Sequence, residues 1–420
     1  MNKRMQIIKR HAQGDSIMYQ YLMAFPMRFY ACNADYTTRC TFFCNVNCYL
    51  ARERREIYNR RQYTRQAYAT SVVMLKSCGF FISAAAGERM RQFTKPAITV
   101  AEQLALLKER GLDIQDEARA GLFLEAVSFF RLTPYMRPFQ VSDDPQHGFR
   151  PGAGFRQLSQ LYDFDRRLRL LVIDAIERTE VAVRAVTSNH MGPSYGSHWY
   201  LQPELFKDRY NHRRLLDGIE DVQRKALQYY SRESARIDRL RNAEPVRKAE
   251  LKQRRAQESY ARHYALNYSS PSLMPGWAML EELTLGELSH LFQGLAKDND
   301  RKIIAQQLDV PGPLLESWLH TLTSVRNICA HHGRLWNREL GIKPELPRHP
   351  DFAWPKSLRQ GTQHTRVGVV LAVLHHLMQR VSPHTHWHQN LAELFESYPE
   401  IPKTAMGLPE DWKEDAFWGV

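Results

Sequence analysis

An all-α helical bundle is the fold class that the 420-residue sequence predicts, and three observations lead to it. Apolar residues recur at three- or four-residue steps through long stretches, which is typical of amphipathic helices. Capping residues and glycines stand where several of these stretches begin and end. The composition, with 43% hydrophobic and 25% charged residues, is that of a globular protein. Since no run of about 18 uninterrupted apolar residues occurs, we expect a soluble, cytoplasmic protein without a membrane partner.

The first 90 residues differ from the rest of the chain. They hold 14 Lys/Arg and 5 Asp/Glu, so most of the net charge of +13 lies there. Their apolar periodicity is weak, and regular patterning starts only at about Met90. We therefore predict a poorly patterned N-terminal extension, or a misplaced start, over residues 1–90. Four of the five cysteines in this segment lie close together without CxxC spacing, so zinc is disfavoured and no metal is expected: Cys32, Cys40, Cys44 and Cys48.

Helices are predicted in order beyond this segment. Thr99, with a glutamate three residues later and an apolar stripe, predicts a helix that stops at Gly111. Residues 116–130 continue the helical pattern, and Pro134 and Pro138 are expected to break it. A long amphipathic helix then starts near residue 158, and its apolar stripe comprises Leu161, Phe164, Leu168, Leu171, Val172, Ile176 and Val183.

A basic stretch over residues 224–262 holds 12 Lys/Arg against 5 Asp/Glu. It is predicted to form a helical pair interrupted at Pro245. Two interpretations remain open. A charge run is usually a solvated helix face, but this one could also be a basic arm that contacts RNA phosphates through Lys252, Arg254 and Arg255.

Two later segments have clear helical signals. Residues 275–292 are predicted to form one helix that buries Trp277, and residues 311–333 form another that stops at Gly333. The second helix has a continuous apolar stripe made of Leu315, Trp318, Leu319, Leu322, Val325 and Cys329.

Arg326 is the anomaly of this second helix, because it falls about 40° from the centre of the apolar stripe. A charge on a packing face is costly unless it is paired or meets an anionic ligand. Arg326 is thus expected either to pair with an acid on a facing helix, such as Glu180 or Glu281, or to bind an anion.

Six sequence blocks then occur in an order that resembles a known family. They are KPAITVAEQLALLKERGL (95–112), FFRLTPYMRPF (129–139), DFDRRLRLLVIDAIERTEVAVRA (163–185), PGWAMLEELTLGELS (275–289), RNICAHHGRLWNREL (326–340) and MGLPEDWKEDAFW (406–418). The chain from about Lys95 to Trp418 resembles the Abi-like (AbiD/AbiF-type) abortive-infection proteins of the HEPN superfamily. The resemblance implies a HEPN-like bundle with additional helices, a core over residues 91–345 and a C-terminal helical region over residues 346–420.

The resemblance also implies a function. RNA-cleaving HEPN proteins carry an R-x(4–6)-H motif, which maps onto Arg326 and His331, with Asn327 as the polar residue beside the arginine. His332 is kept as the alternative acting imidazole, and Glu281 is expected to be a supporting residue. The implied activity is metal- and cofactor-independent endoribonuclease cleavage in phage defence or a toxin–antitoxin system. The implied partners are an RNA substrate, a second copy of the chain that supplies a second motif, and an antitoxin that is either a protein or a small RNA. The chemistry is consistent, because an imidazole transfers protons near neutral pH and a guanidinium fork suits phosphate oxygens.

The sequence leaves the role of this motif open. On an ideal helix, His331 lies about 140° away from Arg326, and His332 shares its face with neither residue. The resembled family also contains non-catalytic members, so the alternative function is a non-catalytic RNA-binding or protein-interaction module of the same defence family. A separate histidine-rich segment is interpreted as exposed surface rather than a metal site; it contains His375, His376, His384, His386 and His388.

Overall fold

The computed structural model describes residues 92–359 and 365–419. The extension predicted for residues 1–90, with its cysteines, lies outside the described residues. Within the described ranges the chain is all-α, with fourteen α-helices and no strand, which confirms the predicted fold class. None of these helices is both long enough and apolar enough to cross a membrane.

The fourteen helices are numbered here in chain order. The first seven are α1 (Val100–Glu109), α2 (Glu117–Val127), α3 (Phe129–Met136), α4 (Phe155–Tyr195), α5 (His212–Asp238), α6 (Pro245–Gln257) and α7 (Tyr260–Asn267). The remaining seven are α8 (Gly276–Glu282), α9 (Leu285–Gly294), α10 (Asp298–Gln306), α11 (Gly312–Ala330), α12 (Lys356–Arg359), α13 (Val367–Val381) and α14 (Trp387–Ser397).

The predicted capping signals of α1 are confirmed. The Thr99 side chain accepts a hydrogen bond from the Glu102 N–H, and the Glu102 carboxylate accepts one from the Thr99 N–H. Gly111 follows the helix with φ +87°, a left-handed conformation that glycine adopts without a steric penalty. The predicted break at Pro134 is wrong, because α3 contains this proline, whereas the break predicted at Pro138 is confirmed, since α3 ends two residues before it at Met136. The turn after Met136 is a short 3₁₀ helix over Arg137–Phe139.

The central element is α4, whose 41 residues span about 60 Å. Its predicted stripe is buried at Leu161, Phe164, Leu168, Val172 and Val183. This apolar side packs against helices from most of the described chain, because the stripe repeats over many turns. Its packing partners include α3, α8, α10, α11, α13 and α14.

The segment 275–292 forms two helices rather than the single one expected. The chain breaks at Leu283, and Thr284 then caps α9 through a reciprocal bond with Glu287. The sequence T-x-x-E is itself a helix-start signature, so this break was readable in the sequence. The expected burial of Trp277 is wrong, since its side chain is 49% exposed.

The expectation of a histidine-rich surface is wrong for two of its members. His375 and His376 lie in α13 and are buried. Each donates through its Nε2 atom to a main-chain carbonyl, His375 to Phe417 (3.0 Å) and His376 to Asp309 (3.0 Å). They are core histidines that connect α13 to neighbouring segments. Later histidines of the segment, such as His384, are exposed.

Burial of His375 makes the stability of the fold pH-dependent. Desolvation lowers the pKa of His375 from 6.5 to about 4, and the nearby His388 and His376 rings act in the same direction. The folded protein therefore keeps His375 neutral where the unfolded chain binds a proton. The contribution of neutral His375 to the unfolding free energy is complete above about pH 6.5 and is lost as the pH falls towards 4.

We expect His375→Gln, which keeps a side-chain N–H but cannot titrate, to reduce the loss of unfolding free energy between pH 7.5 and pH 5 by about 2 kcal/mol. Urea unfolding at the two pH values measures this. His384→Gln is the matched control, because His384 is exposed. Equal pH dependence in the wild type and the His375 variant would contradict the assignment.

Candidate functional site

The helix α11 carries the RNICAHHG segment at its C-terminal end. All six residues of its predicted apolar stripe are buried. The helix ends at Ala330, and the Gly333 N–H donates to the Ile328 carbonyl (2.8 Å) while the His332 N–H donates to the Cys329 carbonyl (2.9 Å). This is a Schellman ending.

The left-handed residue of this ending is His332, with φ +57°, and not the predicted Gly333. Gly333 occupies the next position, where an added Cβ atom would lie 3.2 Å from the Ile328 carbonyl oxygen. A left-handed conformation in a residue with a Cβ atom costs roughly 1–2 kcal/mol. The chain therefore holds a strained histidine at the end of the helix.

The motif side chains have different environments. Arg326 is half-buried on α11, whereas Asn327, His331 and His332 are exposed. The main-chain carbonyl of Asn327 accepts a hydrogen bond from the His331 N–H (3.0 Å). Within one chain, neither imidazole makes a hydrogen bond with Arg326 or with another residue in the described ranges. Arg326 thus lies five residues before His331 and six before His332 at the same helix end, but its side chain is not hydrogen-bonded to either imidazole.

The acids expected to pair with Arg326 are occupied by another arginine. Arg184 on α4 forms ion pairs with Glu180 and with Glu281 (3.3 Å), and it also donates to the Leu283 carbonyl (2.8 Å). Burial raises the pKa of Glu180, and the positive charges of Arg184 and Arg326 oppose that effect. Arg326 therefore lies within electrostatic reach of Glu180, yet it makes no ion pair or hydrogen bond among the residues that the structure describes.

A buried carboxylate holds the chain that follows the motif. Asp165 on α4 is fully buried and accepts hydrogen bonds from the main-chain N–H groups of Leu335 (3.1 Å) and Trp336 (2.5 Å). It also accepts one from the Tyr135 hydroxyl (2.5 Å) and forms an ion pair with Arg169. Every partner donates to Asp165, so the group acts as an ionised acceptor even though burial raises its pKa.

Two arginines hold the motif turn itself. Arg131 on α3 donates to the His332 carbonyl (2.8 Å), and Arg169 on α4 lies 3.4 Å from the Gly333 carbonyl oxygen. Carbonyls at a helix C-terminus lack partners within the helix, and cations stabilise them. The left-handed His332 is therefore fixed between α3 and α4.

Sequence reasoning overlooked this support, although a signal was present. Asp165 and Arg169 are four residues apart and fall among the apolar residues Leu161, Leu168 and Val172 of the α4 stripe. Opposite charges at this spacing on a packing face indicate a buried ion pair. The same logic that selected Arg326 would have selected both residues.

Cys329 is buried between these elements, as expected for a small apolar residue. Burial raises the pKa of its thiol to about 12, so the group stays protonated and unreactive. No group of three or more histidine, cysteine, aspartate or glutamate side chains that could hold a metal ion occurs in residues 92–359 and 365–419.

The basic stretch forms α6 and parts of α5 and α7, and α6 buries none of its residues. Lys252 pairs with Asp238 on α5 (2.8 Å), and Arg255 pairs with Glu258 and lies 3.8 Å from Glu233. Arg254 is exposed and has no ion-pair partner among the described residues. Two of the three candidate RNA contacts are thus already partly neutralised.

The motif lines neither of two clefts that occur in the described chain. One cleft of about 1210 Å³ lies at the opposite, N-terminal end of α11, beside Pro311 and His320. Since α11 is about 28 Å long, this cleft is remote from the Schellman ending. A second, of about 1070 Å³, lies beside the start of α4 and includes Tyr162.

The buried carboxylate gives a direct stability test. Asp165→Asn removes one acceptor oxygen and leaves the buried Arg169 without a counter-charge, so we expect a loss of about 3–5 kcal/mol in unfolding free energy. Asp174→Asn is the matched control, because Asp174 is an exposed carboxylate on the same helix that pairs with Arg178 (3.1 Å). It should cost less than about 1 kcal/mol. Equal denaturant midpoints for the two variants would show that Asp165 does not hold the fold.

Comparison with known proteins agrees with the order of the sequence blocks. The profile of the family described as Abi-like protein matches residues 122–337, which is just over half of the chain. This range includes α3, α4 and α11, the three helices that build the site. No curated protein and no solved structure matches the chain. The chain belongs to the Abi-like protein family, whose name links it to abortive infection, a form of phage defence.

Proposed function

We propose that the protein is a metal-independent endoribonuclease that acts in abortive infection or a toxin–antitoxin system. The observation that carries the proposal is Arg326, a half-buried guanidinium without an ion pair, five residues before His331 at a rigidly held helix end. An unpaired cation beside a packing face is costly, so such an arginine is expected to serve an anionic ligand. RNA phosphate fits, because two N–H groups of the fork can bind two phosphate oxygens.

The proposed reaction is internal transesterification. The RNA 2′-hydroxyl loses its proton to an imidazole and attacks the adjacent phosphorus, and the 5′-oxygen leaves with a proton from an acid. Arg326 stabilises the charge that accumulates on the phosphorane oxygens. The products are a 2′,3′-cyclic phosphate and a 5′-hydroxyl end. His331 is assigned the proton transfers, and His332 is the alternative.

The separation of Arg326 from both imidazoles within one chain supports a homodimer in this proposal. A two-fold contact duplicates every residue, so it would bring a second Arg326–His331 pair to the same RNA. One imidazole would then serve as the base and its copy as the acid. Asn327 and Glu281 are exposed, and in this proposal they contact RNA or the second copy.

A non-catalytic RNA-binding module in the same defence setting is the second candidate. It is favoured by the exposed imidazoles, which make no hydrogen bond with a residue of the described chain that would orient them. Measuring RNA cleavage together with RNA affinity separates the two functions, since a binding module retains RNA affinity but leaves RNA intact.

The cleavage test compares single substitutions in purified protein incubated with total RNA and EDTA. His331→Ala should lower the rate by about 10²–10⁴-fold. Arg326→Lys keeps the charge but loses the fork, and it should cost roughly 10²–10³-fold. Both variants should unfold within about 0.5 kcal/mol of the wild type, because His331 is exposed and Arg326 has no ion pair to lose.

His332→Ala and Arg178→Gln are the matched controls. The first removes the neighbouring imidazole and should leave most of the activity; an inactive, stable His332 variant would move the proton transfer to that residue. The second removes an exposed charge of α4 and should be neutral. Full activity of both histidine variants, with normal cyclic-phosphate ends, would exclude the motif as the source of cleavage.

The basic arm gives a separate prediction. If α6 contacts RNA, Arg254→Gln should reduce the slope of log affinity against log salt by about one unit, since one phosphate contact is lost. The double variant Lys252→Gln, Arg255→Gln should change it less, because both side chains already form ion pairs. Binding of a labelled RNA across a salt titration measures this. An unchanged slope in all variants would leave α6 as a solvated helix.

A further inference from the structure

The cleft at the start of α4 combines aromatic walls with unpaired positive charge. It occupies about 1070 Å³ between the first turns of α2 and α4 and the Tyr398 side chain. Phe123 and Tyr162 form its aromatic wall, with ring centroids 5.7 Å apart and nearly perpendicular planes. Both rings are only half-buried, so part of each faces the cleft. Half-exposed aromatic rings offer surfaces on which flat, apolar groups can stack.

Two guanidinium groups stand at the rim without a counter-charge. Arg119 on α2 and Arg156 on α4 are exposed, and their side chains make no ion pair or hydrogen bond within the described ranges. The main-chain N–H groups of Arg156 and Gln157, at the start of α4, are also without a partner in those ranges. The rim therefore presents several donors to an anion.

The carboxylates of the cleft are already engaged. Asp116 caps α2 by accepting the Arg119 N–H (2.9 Å), and Asp113 accepts from the Gln115 side chain (3.2 Å). Asp163 is the third, and its oxygens accept hydrogen bonds from Arg166 (3.3 Å), Arg167 (3.0 Å) and the Tyr398 hydroxyl. Asp113 and Asp116 keep their charge, because their donors are neutral, but no cleft carboxylate forms an ion pair with Arg119 or Arg156 among the described residues, so both guanidinium groups keep their donors for an anion.

Packing and hydrogen bonds connect the cleft wall to the turn that follows α11. The ring of Tyr162 packs edge-on against Tyr135 at 5.3 Å, and Tyr135 donates its hydroxyl to Asp165. Asp165 in turn holds the main chain at Leu335 and Trp336. A ligand in the cleft would thus lie against the same stretch of α4 that fixes the end of α11.

We propose that this cleft binds a short segment of single-stranded RNA, with a base stacked on Phe123 and Tyr162 and phosphates held by Arg119 and Arg156. A nucleotide combines a flat base with an anionic phosphate. Proteins hold single strands by stacking the bases on aromatic rings and by binding the phosphates with arginine. The cleft is larger than one nucleotide requires, which favours a strand over a free nucleotide. The proposal rests on the proposed function, for which the cleft is a substrate-binding subsite.

The test measures binding of a fluorescent 2′-O-methyl RNA octamer, which lacks the 2′-hydroxyl needed for cleavage, by anisotropy at several salt concentrations. The full chain carrying Arg119→Gln and Arg156→Gln should bind at least tenfold more weakly, and its salt slope should fall by about 1.4 units, since each lost phosphate contact of a single strand removes about 0.7. Tyr162→Leu should weaken binding roughly 5–100-fold without changing the slope, since stacking is not ionic.

The control is Arg178→Gln with Arg213→Gln, which removes two exposed charges from α4 and α5 outside the cleft. Melting temperatures of all variants should match that of the wild type within a few degrees. Uridine monophosphate and a polyglutamate peptide serve as competitors. Displacement only by excess nucleotide supports the subsite, whereas tight nucleotide binding without octamer binding assigns the cleft to a free nucleotide and overturns the RNA-strand proposal.

Other results separate the two proposals. Equal octamer affinity in the cleft variants and the control, with cleavage retained, overturns the subsite and leaves the nuclease intact. Octamer binding that depends on the cleft, in a protein that leaves RNA intact, upholds the subsite and refutes the nuclease. Displacement by polyglutamate as effectively as by RNA, with no effect of Tyr162→Leu, reduces the cleft to a non-specific cationic surface and overturns the subsite.

Discussion

The buried carboxylate of Asp165 is the interaction on which the rest of the site depends. It joins three segments that are far apart in sequence, because its donors come from Tyr135, from Arg169 and from the main chain at Leu335 and Trp336. Burying a charge costs several kcal/mol unless its hydrogen bonds are made, and here both oxygens are used. Movement of the turn after α11 relative to α4 would break these hydrogen bonds, so Asp165 ties the motif end to the buried side of α4.

A second constraint explains why Arg326 is left without an ion pair. Arg184 lies closer than Arg326 to the two acids that could have neutralised either arginine, and it also binds the Leu283 carbonyl at the break between α8 and α9. These three contacts place Arg184 across α4 and the α8–α9 corner. Glu180 therefore lowers the cost of burying Arg326 only from a distance. The competition leaves a half-buried guanidinium whose donors remain available, which is the property required of an anion-binding group.

Much of the fold followed from periodicity and capping. The α11 stripe, the α1 capping box and the long α4 were all readable, because helix formation there is set by local spacing. The errors came from tertiary context. Pro134 stays inside α3, Trp277 is exposed, and His375 is buried because its Nε2 finds a main-chain acceptor.

The site was predictable only in part for the same reason. Arg326 was selected as a charge on an apolar face, whereas its isolation depends on which acid Arg184 reaches in space. Asp165 was within reach of the same argument, but its partners at Leu335 and Trp336 are main-chain groups about 170 residues away, which no local pattern specifies.

The ending of α11 connects these constraints to the geometry of the imidazoles. A Schellman turn reverses the chain within two residues, so His331 and His332 leave the helix with different backbone conformations, one near-helical and the other left-handed. The strain at His332 is sustained because Arg131 binds its carbonyl and Arg169 lies beside the next one. Those contacts come from α3 and α4, and α4 also contributes Tyr162 to the aromatic cleft wall. The orientation of both histidines is consequently a property of the whole α3–α4–α11 packing, and it cannot be read from the R-x(4)-H spacing alone.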